Sequence, residues 1–200
     1  MINTRINPAS FRIAMRFTAA LIFLASASVA GIVRAGGFDL MQLMQLLAAS
    51  PAAEVSFTEK KYSILLSEPV ISSGKLLYRH PDVVEKNIEL PRKERYRFAG
   101  DELLLVRNGT EKKIPLSSQP LLAAFAASLR GVLGGDLALL RSHYQLSLQG
   151  ELPSWRLDMT PLEEETARYV QRIVVTGRVG RIEQIEVREA SGDRSVLQVR

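Results

Sequence analysis

Two hydrophobic periods alternate along the chain, and the switches between them mark its elements. Between Gly37 and Pro51, the residues Phe38, Leu40, Met41, Leu43, Met44, Leu46 and Leu47 recur at helical spacing, which predicts a short amphipathic helix closing one edge or face. From Val55 to Leu116 the pattern becomes that of strands, with Pro69, Gly74, Pro81, Pro91, Gly100, Gly109 and Pro115 bounding short runs. The segment SGKLLYRHP sets Leu76, Tyr78 and His80 on one face and Lys75, Leu77 and Arg79 on the other. Tyr96 and Phe98 likewise share a face, opposite Lys93, Arg95 and Arg97, as in a half-buried strand. Asn108-Gly109, between LLLVR and TEKKI, predicts a two-residue hairpin turn.

The strand pattern breaks once, over residues 119–144. Pro120 opens a helix whose Leu121, Phe125, Leu129 and either Val132 or Leu133 form an apolar stripe among alanines, and Gly134-Gly135 ends it. Asp136 suits the N-cap of a second short helix, DLALLRSHY. Strands then resume as YQLSLQGEL, WRLDMTPL, YVQRIVVTG, RIEQIEVREA and RSVLQVR, with turns expected at Gly150, Pro153, Gly177, Gly180 and Ser191-Gly192-Asp193. A long antiparallel sheet interrupted by one helical pair is an α+β arrangement. By itself such a pair reads as ordinary core packing.

The N-terminus follows different rules. Arg5, Arg12 and Arg16 precede an uncharged, mostly apolar run from Phe17 to Ala30, shorter than the roughly 20 residues that span a bilayer. Small residues follow, in the patterns Ser28-Val29-Ala30 and Val33-Arg34-Ala35. Residues 1–35 therefore read as a cleaved signal peptide, cut after Ala30 or Ala35, leaving residues 36–200 as a single exported domain. The chain has no cysteine, which excludes a lipid-anchored precursor and disulfide staples, so packing alone must hold the domain.

Removing that segment changes the charge. It carries four arginines and no acid, so lysine plus arginine falls from 26 to 22 against 21 acids, and the net charge falls from +5 to +1. The strong basic excess expected of a nucleic-acid-binding domain is gone. Catalytic patterns are missing too. No G-x-S-x-G, P-loop or G-x-G-x-x-G is present, and His80 and His143 lie far apart without zinc-ligand spacing. The expectation is a protein that is not an enzyme and needs neither cofactor nor metal. Glu163-Glu164-Glu165 reads as a solvated turn or helix start, with an acidic docking patch as the lesser alternative. Arg92, Lys93, Arg95 and Arg97 read as a solvated strand face, or as a surface for anionic lipid head groups or an acidic partner.

Val55, Phe57 and Lys60, followed by Gly74, Leu76, Tyr78 and Pro81, resemble two successive strands of the outer-membrane lipoprotein carrier (LolA-like) family, whose patterns are A-x-F-x-x-K and G-x-L-x-(aromatic or aliphatic)-x-x-P. The resemblance implies an unclosed antiparallel β-barrel, a curled sheet whose concave face is capped by short helices acting as a lid over an apolar cavity for acyl chains. It also implies transport without chemistry, from an inner-membrane transporter to an outer-membrane acceptor in the periplasm of a Gram-negative bacterium. A monomer is expected. Period-2 reading of the strands then names a lining of Phe57, Leu76, Tyr78, Val84, Ile88, Tyr96 and Phe98, faced by Leu121, Phe125 and Leu129 of the lid.

One position departs from the family. Where its carriers have an arginine that latches the lid, this chain has His80, which reads either as a weaker latch, shorter and with fewer donors, or as a satisfied strand-end histidine before a proline. Either the lid closes differently or the cargo is not a lipoprotein. A glycolipid, polyene-type lipid or phospholipid fits equally. Two functional classes follow: a carrier shielding acyl chains of a lipoprotein or lipid, and a non-transporting interaction, sensor or assembly protein with a filled core.

Overall fold

The structure, a computed structural model, describes residues 37–49 and 54–200, except the side chains of Pro120 and Leu121. The expected signal segment, residues 1–35, lies outside the described residues. The chain divides into Met1–Arg34 and Ala35–Arg200, and only the second unit is described below.

Eleven strands form one antiparallel sheet: β1 (Glu54–Tyr62), β2 (Val70–Arg79), β3 (Val83–Leu90), β4 (Glu94–Ala99), β5 (Glu102–Arg107), β6 (Thr110–Pro115), β7 (Tyr144–Glu151), β8 (Ser154–Pro161), β9 (Val170–Arg178), β10 (Arg181–Glu189) and β11 (Arg194–Val199). The order is β6-β5-β4-β3-β2-β1-β11-β10-β9-β8-β7, so β6 and β7 are edges and the barrel stays unclosed. The first and last strands pair in the middle, Phe57 opposite Val199. All other neighbouring strands are consecutive in the chain, and the helical excursion joins the two edge strands, β6 and β7.

The helices lie where the period changes. In α1 (Leu40–Ala48), the carboxylate of Asp39 accepts from the Gln42 amide at 2.8 Å, and the Gln42 side chain accepts from the Asp39 amide at 3.2 Å, a reciprocal cap. A short 3-10 turn, Leu116–Ser118, leads into α2 (Pro120–Gly134), and Gly135 ends that helix with a left-handed φ of 66°. Asp136 caps α3 (Leu137–His143) through a 2.9 Å bond from the Leu139 amide. Glu164–Ala167 forms α4 between β8 and β9, with Glu163 as its N-cap residue, so the acidic run is a helix start.

Two turn expectations need correction. Gly150 lies inside β7, opposite Trp155, and the chain turns at Leu152 and Pro153. Gly177 lies inside β9, opposite Trp155 of β8, and the chain reverses at Val179 and Gly180 instead. A Cβ at position 177 would stand 2.5 Å from the indole ring and would also collide with the Arg181 carbonyl. That glycine is present because the buried tryptophan, whose indole N–H donates to the Val179 carbonyl at 2.7 Å, occupies the side-chain space above it. Asn108 and Gly109 form the expected hairpin turn, both with positive φ.

Candidate functional site

Strand register places the inward residues of β2–β6 in rungs. Tyr78, Val84, Phe98, Leu103 and Ile114 stand in one rung; the first four are buried and the last is half-buried. Leu76, Lys86, Tyr96 and Leu105 form the next, and Gly74, Ile88, Glu94 and Arg107 the one after. The inner face is thus apolar at one end and charged at the other. Phe57, Leu76, Tyr78, Val84 and Phe98 all belong to the buried core, while Ile88 and Tyr96 are half-buried against it.

The charged end is internally paired. Lys86 Nζ lies 2.7 Å from Glu59 and 5.2 Å from the Phe57 ring centre. The Tyr96 hydroxyl donates to Glu94 at 2.6 Å, and Arg107 pairs with the same carboxylate at 2.8 Å. Those donors, the tyrosine first, hold the Glu94 carboxyl below its usual pKa. Gly74 is fixed by close approach of backbone, since a Cβ there would collide with the Asn87 carbonyl next to the β2–β3 register shift.

Helix α2 covers the apolar side. The rings of Phe98 and Phe125 meet edge-to-face at 6.0 Å. Beneath the helix is a cavity of about 10 Å³ lined by Phe125, Ser128, Leu129, Val132 and Leu133 and, from the sheet, by Met159, Ile173, Val175 and Ile185. That volume suits about one water molecule. Phe125 and Leu129 belong to the set named from sequence; the side chain of Leu121 lies outside the described residues. The sheet side of the cavity comes from β8–β10, while the strand residues named from sequence lie on β1–β4. The alternation in WRLDMTP and RIVVTG carries the same inward signal for Met159, Ile173 and Val175, but the lining read from sequence draws only on strands that precede the helical pair.

The opposite sheet face carries a larger recess of about 580 Å³, lined by Gln145, Ser147, Gln149, Arg156, Asp158, Thr160 and Arg172. It is polar and centred on Asp158, which Arg156 holds through two bonds of 2.7 and 2.9 Å and Arg172 approaches at 3.5 Å. Such a lining does not suit an acyl chain.

The lid is fastened from its own side. Arg130 of α2 donates from Nε to the Asp82 carbonyl at 2.8 Å and from an Nη to the Gly100 carbonyl at 2.7 Å. The Asp82 carboxylate in turn accepts from the Gly100 amide at 2.8 Å, closing a ring between the β2–β3 and β4–β5 turns. A second fastening runs from the Tyr144 hydroxyl to the Ala124 carbonyl at 2.9 Å, fully buried, and burial pushes that phenol up to about 12. His80 is exposed; its Nδ1 is 3.4 Å from the Tyr78 hydroxyl, and the two rings meet edge-on at 4.8 Å. That hydroxyl also donates to the Pro81 carbonyl at 3.0 Å and sits against Gly134, where a Cβ would come within 2.5 Å of it. Arg130 is the residue that the sequence reading missed. It lies four residues before the helix-ending glycines, and neither its spacing nor its type separates it from a solvated helical arginine.

Among the described residues, no group of three or more His, Cys, Asp or Glu is placed to hold a metal, and no helix is long and apolar enough to cross a membrane. A curled, unclosed antiparallel sheet whose concave face is covered by short helices is the architecture that the sequence resemblance implied. The chain belongs to the family described as outer membrane lipoprotein carrier protein LolA-like, whose model matches residues 32–198. Among solved structures it is similar to a LolA superfamily protein from Nitrosomonas europaea, at 14% identity over 80% of this chain and 90% of that one, with a TM-score of 0.46. A DUF1329 family protein from Desulfovibrio piger compares at 14% identity, 81% and 89% coverage and a TM-score of 0.47. Lipoprotein LppX of Mycobacterium tuberculosis compares at 11%, 80% and 93%, with a TM-score of 0.37. No curated protein matches the chain.

Proposed function

We propose that this protein is an exported, periplasmic carrier that shields the acyl chains of a lipoprotein or lipid beneath α2 and moves them from the inner toward the outer membrane, as a monomer. An inner-membrane transporter would load it and an outer-membrane acceptor would unload it. The supporting observation is the apolar interface between α2 and β8–β10, which holds a cavity of about 10 Å³ and is closed by Arg130 and Tyr144. Burial of each methylene is worth about 0.8 kcal/mol, so a lid that swings off this interface exchanges side-chain packing for acyl-chain packing at little net cost. Family membership supports the same reading.

The small cavity favours a second reading, in which the core is filled permanently and the protein acts as an interaction, sensor or assembly factor. Native mass spectrometry of the protein purified from its own periplasm without detergent separates the two, with solvent extraction of anything bound. A stoichiometric acylated adduct establishes the carrier and identifies its cargo. A protein that is empty and also refuses fluorescent fatty acids is the filled-core factor.

A further inference from the structure

The strand connection at one end of the sheet formed by residues 63–69, between β1 and β2, displays Ile64, Leu65 and Leu66 at 71, 86 and 53% exposure. Val70, Ile71 and Leu90 are half or more exposed beside it: Val70 and Ile71 pair with Lys61 and Lys60, and Leu90 pairs with Ser73 on the other side of β2. Val70 and Ile71 point to opposite faces of the sheet, so the three turn residues are the apolar group that projects from this end and calls for an occupant.

Three successive amides of this turn are already bonded. The Ile64 amide donates to Asp193 at 3.1 Å, the Leu65 amide to the Ser63 hydroxyl at 3.4 Å and the Leu66 amide to the Ser63 carbonyl at 3.1 Å. The Ser63 hydroxyl itself donates to Asp193 at 3.1 Å, which ties the turn to the β10–β11 connection. A turn whose three successive N–H groups are bonded internally can enter a poorly hydrated phase without stranding a donor. The loop is also held in one conformation, so its leucines need little further ordering on contact.

Charge bears on the occupant. Lys60, Lys61, Arg92 and Lys93 are exposed here with Glu68 and Glu89, and the adjoining β10–β11 connection adds Arg194 beside Glu189 and Asp193, so basic groups exceed acidic ones by one. Lys61 shares its charge with Glu189 at 3.2 Å. We infer that this end of the sheet is a membrane-docking surface: Ile64, Leu65 and Leu66 enter the head-group boundary of a bilayer, and the surrounding lysines and arginine meet anionic lipid phosphates. A projecting turn rather than a groove is the shape that suits a flat, deformable surface. The inference goes beyond the cavity reading and does not depend on it.

The test is co-sedimentation of the exported protein with vesicles of phosphatidylethanolamine and phosphatidylglycerol, beside the triple variant Ile64→Ser, Leu65→Ser, Leu66→Ser. The wild type is expected to sediment, less so in high salt, and the triple variant to lose about tenfold or more in partitioning while keeping its melting temperature. Leu65→Trp supplies a second readout: its emission should shift to the blue with vesicles, since Trp155 is buried and bonded already. Wild type that stays in the supernatant, a triple variant that binds equally, or equal binding to purely zwitterionic vesicles overturns the inference. Fluorescent fatty-acid binding by the triple variant should be unchanged, so failure of docking and failure of the carrier reading are read separately.

Discussion

The guanidinium of Arg130, on the helix that covers the sheet, reaches the carbonyl oxygen of Asp82 at 2.8 Å. From sequence, the position of the family's latch arginine is occupied by His80, on the sheet. In the structure the donor lies on the lid and the acceptors are backbone carbonyls of two turns. An arginine fork suits this task because two N–H groups diverge toward two carbonyls, those of Asp82 and Gly100.

Arg130→Ala should therefore loosen the lid. The loss is expected to be about 2 kcal/mol of stability, the scale of hydrogen bonds to a charged group. Thermal melting measures it, and stopped-flow binding of a fluorescent fatty acid should show faster entry. Arg130→Lys keeps the charge but loses the fork, so its effect should lie between. An alanine variant that melts and binds as the wild type does would remove Arg130 from the closing mechanism.

Tyr144 predicts behaviour at high pH. Its hydroxyl titrates at about 12 in the folded protein, against roughly 10 in an unfolded chain. A raised folded value means that its stabilising contribution is complete below about pH 10 and is lost as pH rises toward 12. The wild type should lose stability through that window, and Tyr144→Phe should show a shallower decline there. Removing the bond to Ala124 should also cost the variant about 1 kcal/mol at neutral pH. Denaturant melts across the alkaline range test both parts.

Asp158 predicts the acid limb. Its carboxyl is held below the usual value, first by the Arg156 hydrogen bonds and then by the charges of Arg156, Arg172 and Arg188, against the opposing effect of burial. A depressed folded value means stability that is present above roughly pH 4, the ordinary carboxylate value, and lost as pH falls through the lower folded one. Asp158→Asn should start less stable at neutral pH, by about 1–2 kcal/mol, and should decline less on acidification. Parallel slopes for the two proteins would show that this carboxylate does not govern acid unfolding.

Leu129 tests the cavity. It is 8% exposed and lines the space beneath α2. Leu129→Glu should abolish binding of a fluorescent fatty acid, because a carboxylate facing acyl chain must be desolvated without a partner. Circular dichroism should show the strands retained. Unchanged binding would mean that the ligand does not enter between α2 and β8–β10.

Much of the fold was legible because it is local. The Asn108-Gly109 turn, the Pro120 helix start, the Gly135 end and the Asp136 cap each depend on residues within a few positions of one another. Inward positions such as Leu76, Tyr78 and Phe98 followed from strand alternation alone. Gly177 misled for a physical reason. A glycine in a strand pattern ordinarily signals a turn or a bulge, and only the ring of Trp155 lying over it explains its place inside β9.

By itself, the sequence determined the order of elements, the face that each strand buries and the absence of sulfur chemistry, since periodicity and composition are properties of neighbours along the chain. Tertiary structure alone decided which strands lie under the lid, because a curled sheet brings β8–β10 beneath α2 while β2–β4 meet its edge at Phe98 and Arg130. It also decided that α2 is tied to the β2–β3 turn, for Arg130 and Asp82 are 48 residues apart. Contacts over such separations depend on sheet register and curvature, which no local pattern encodes.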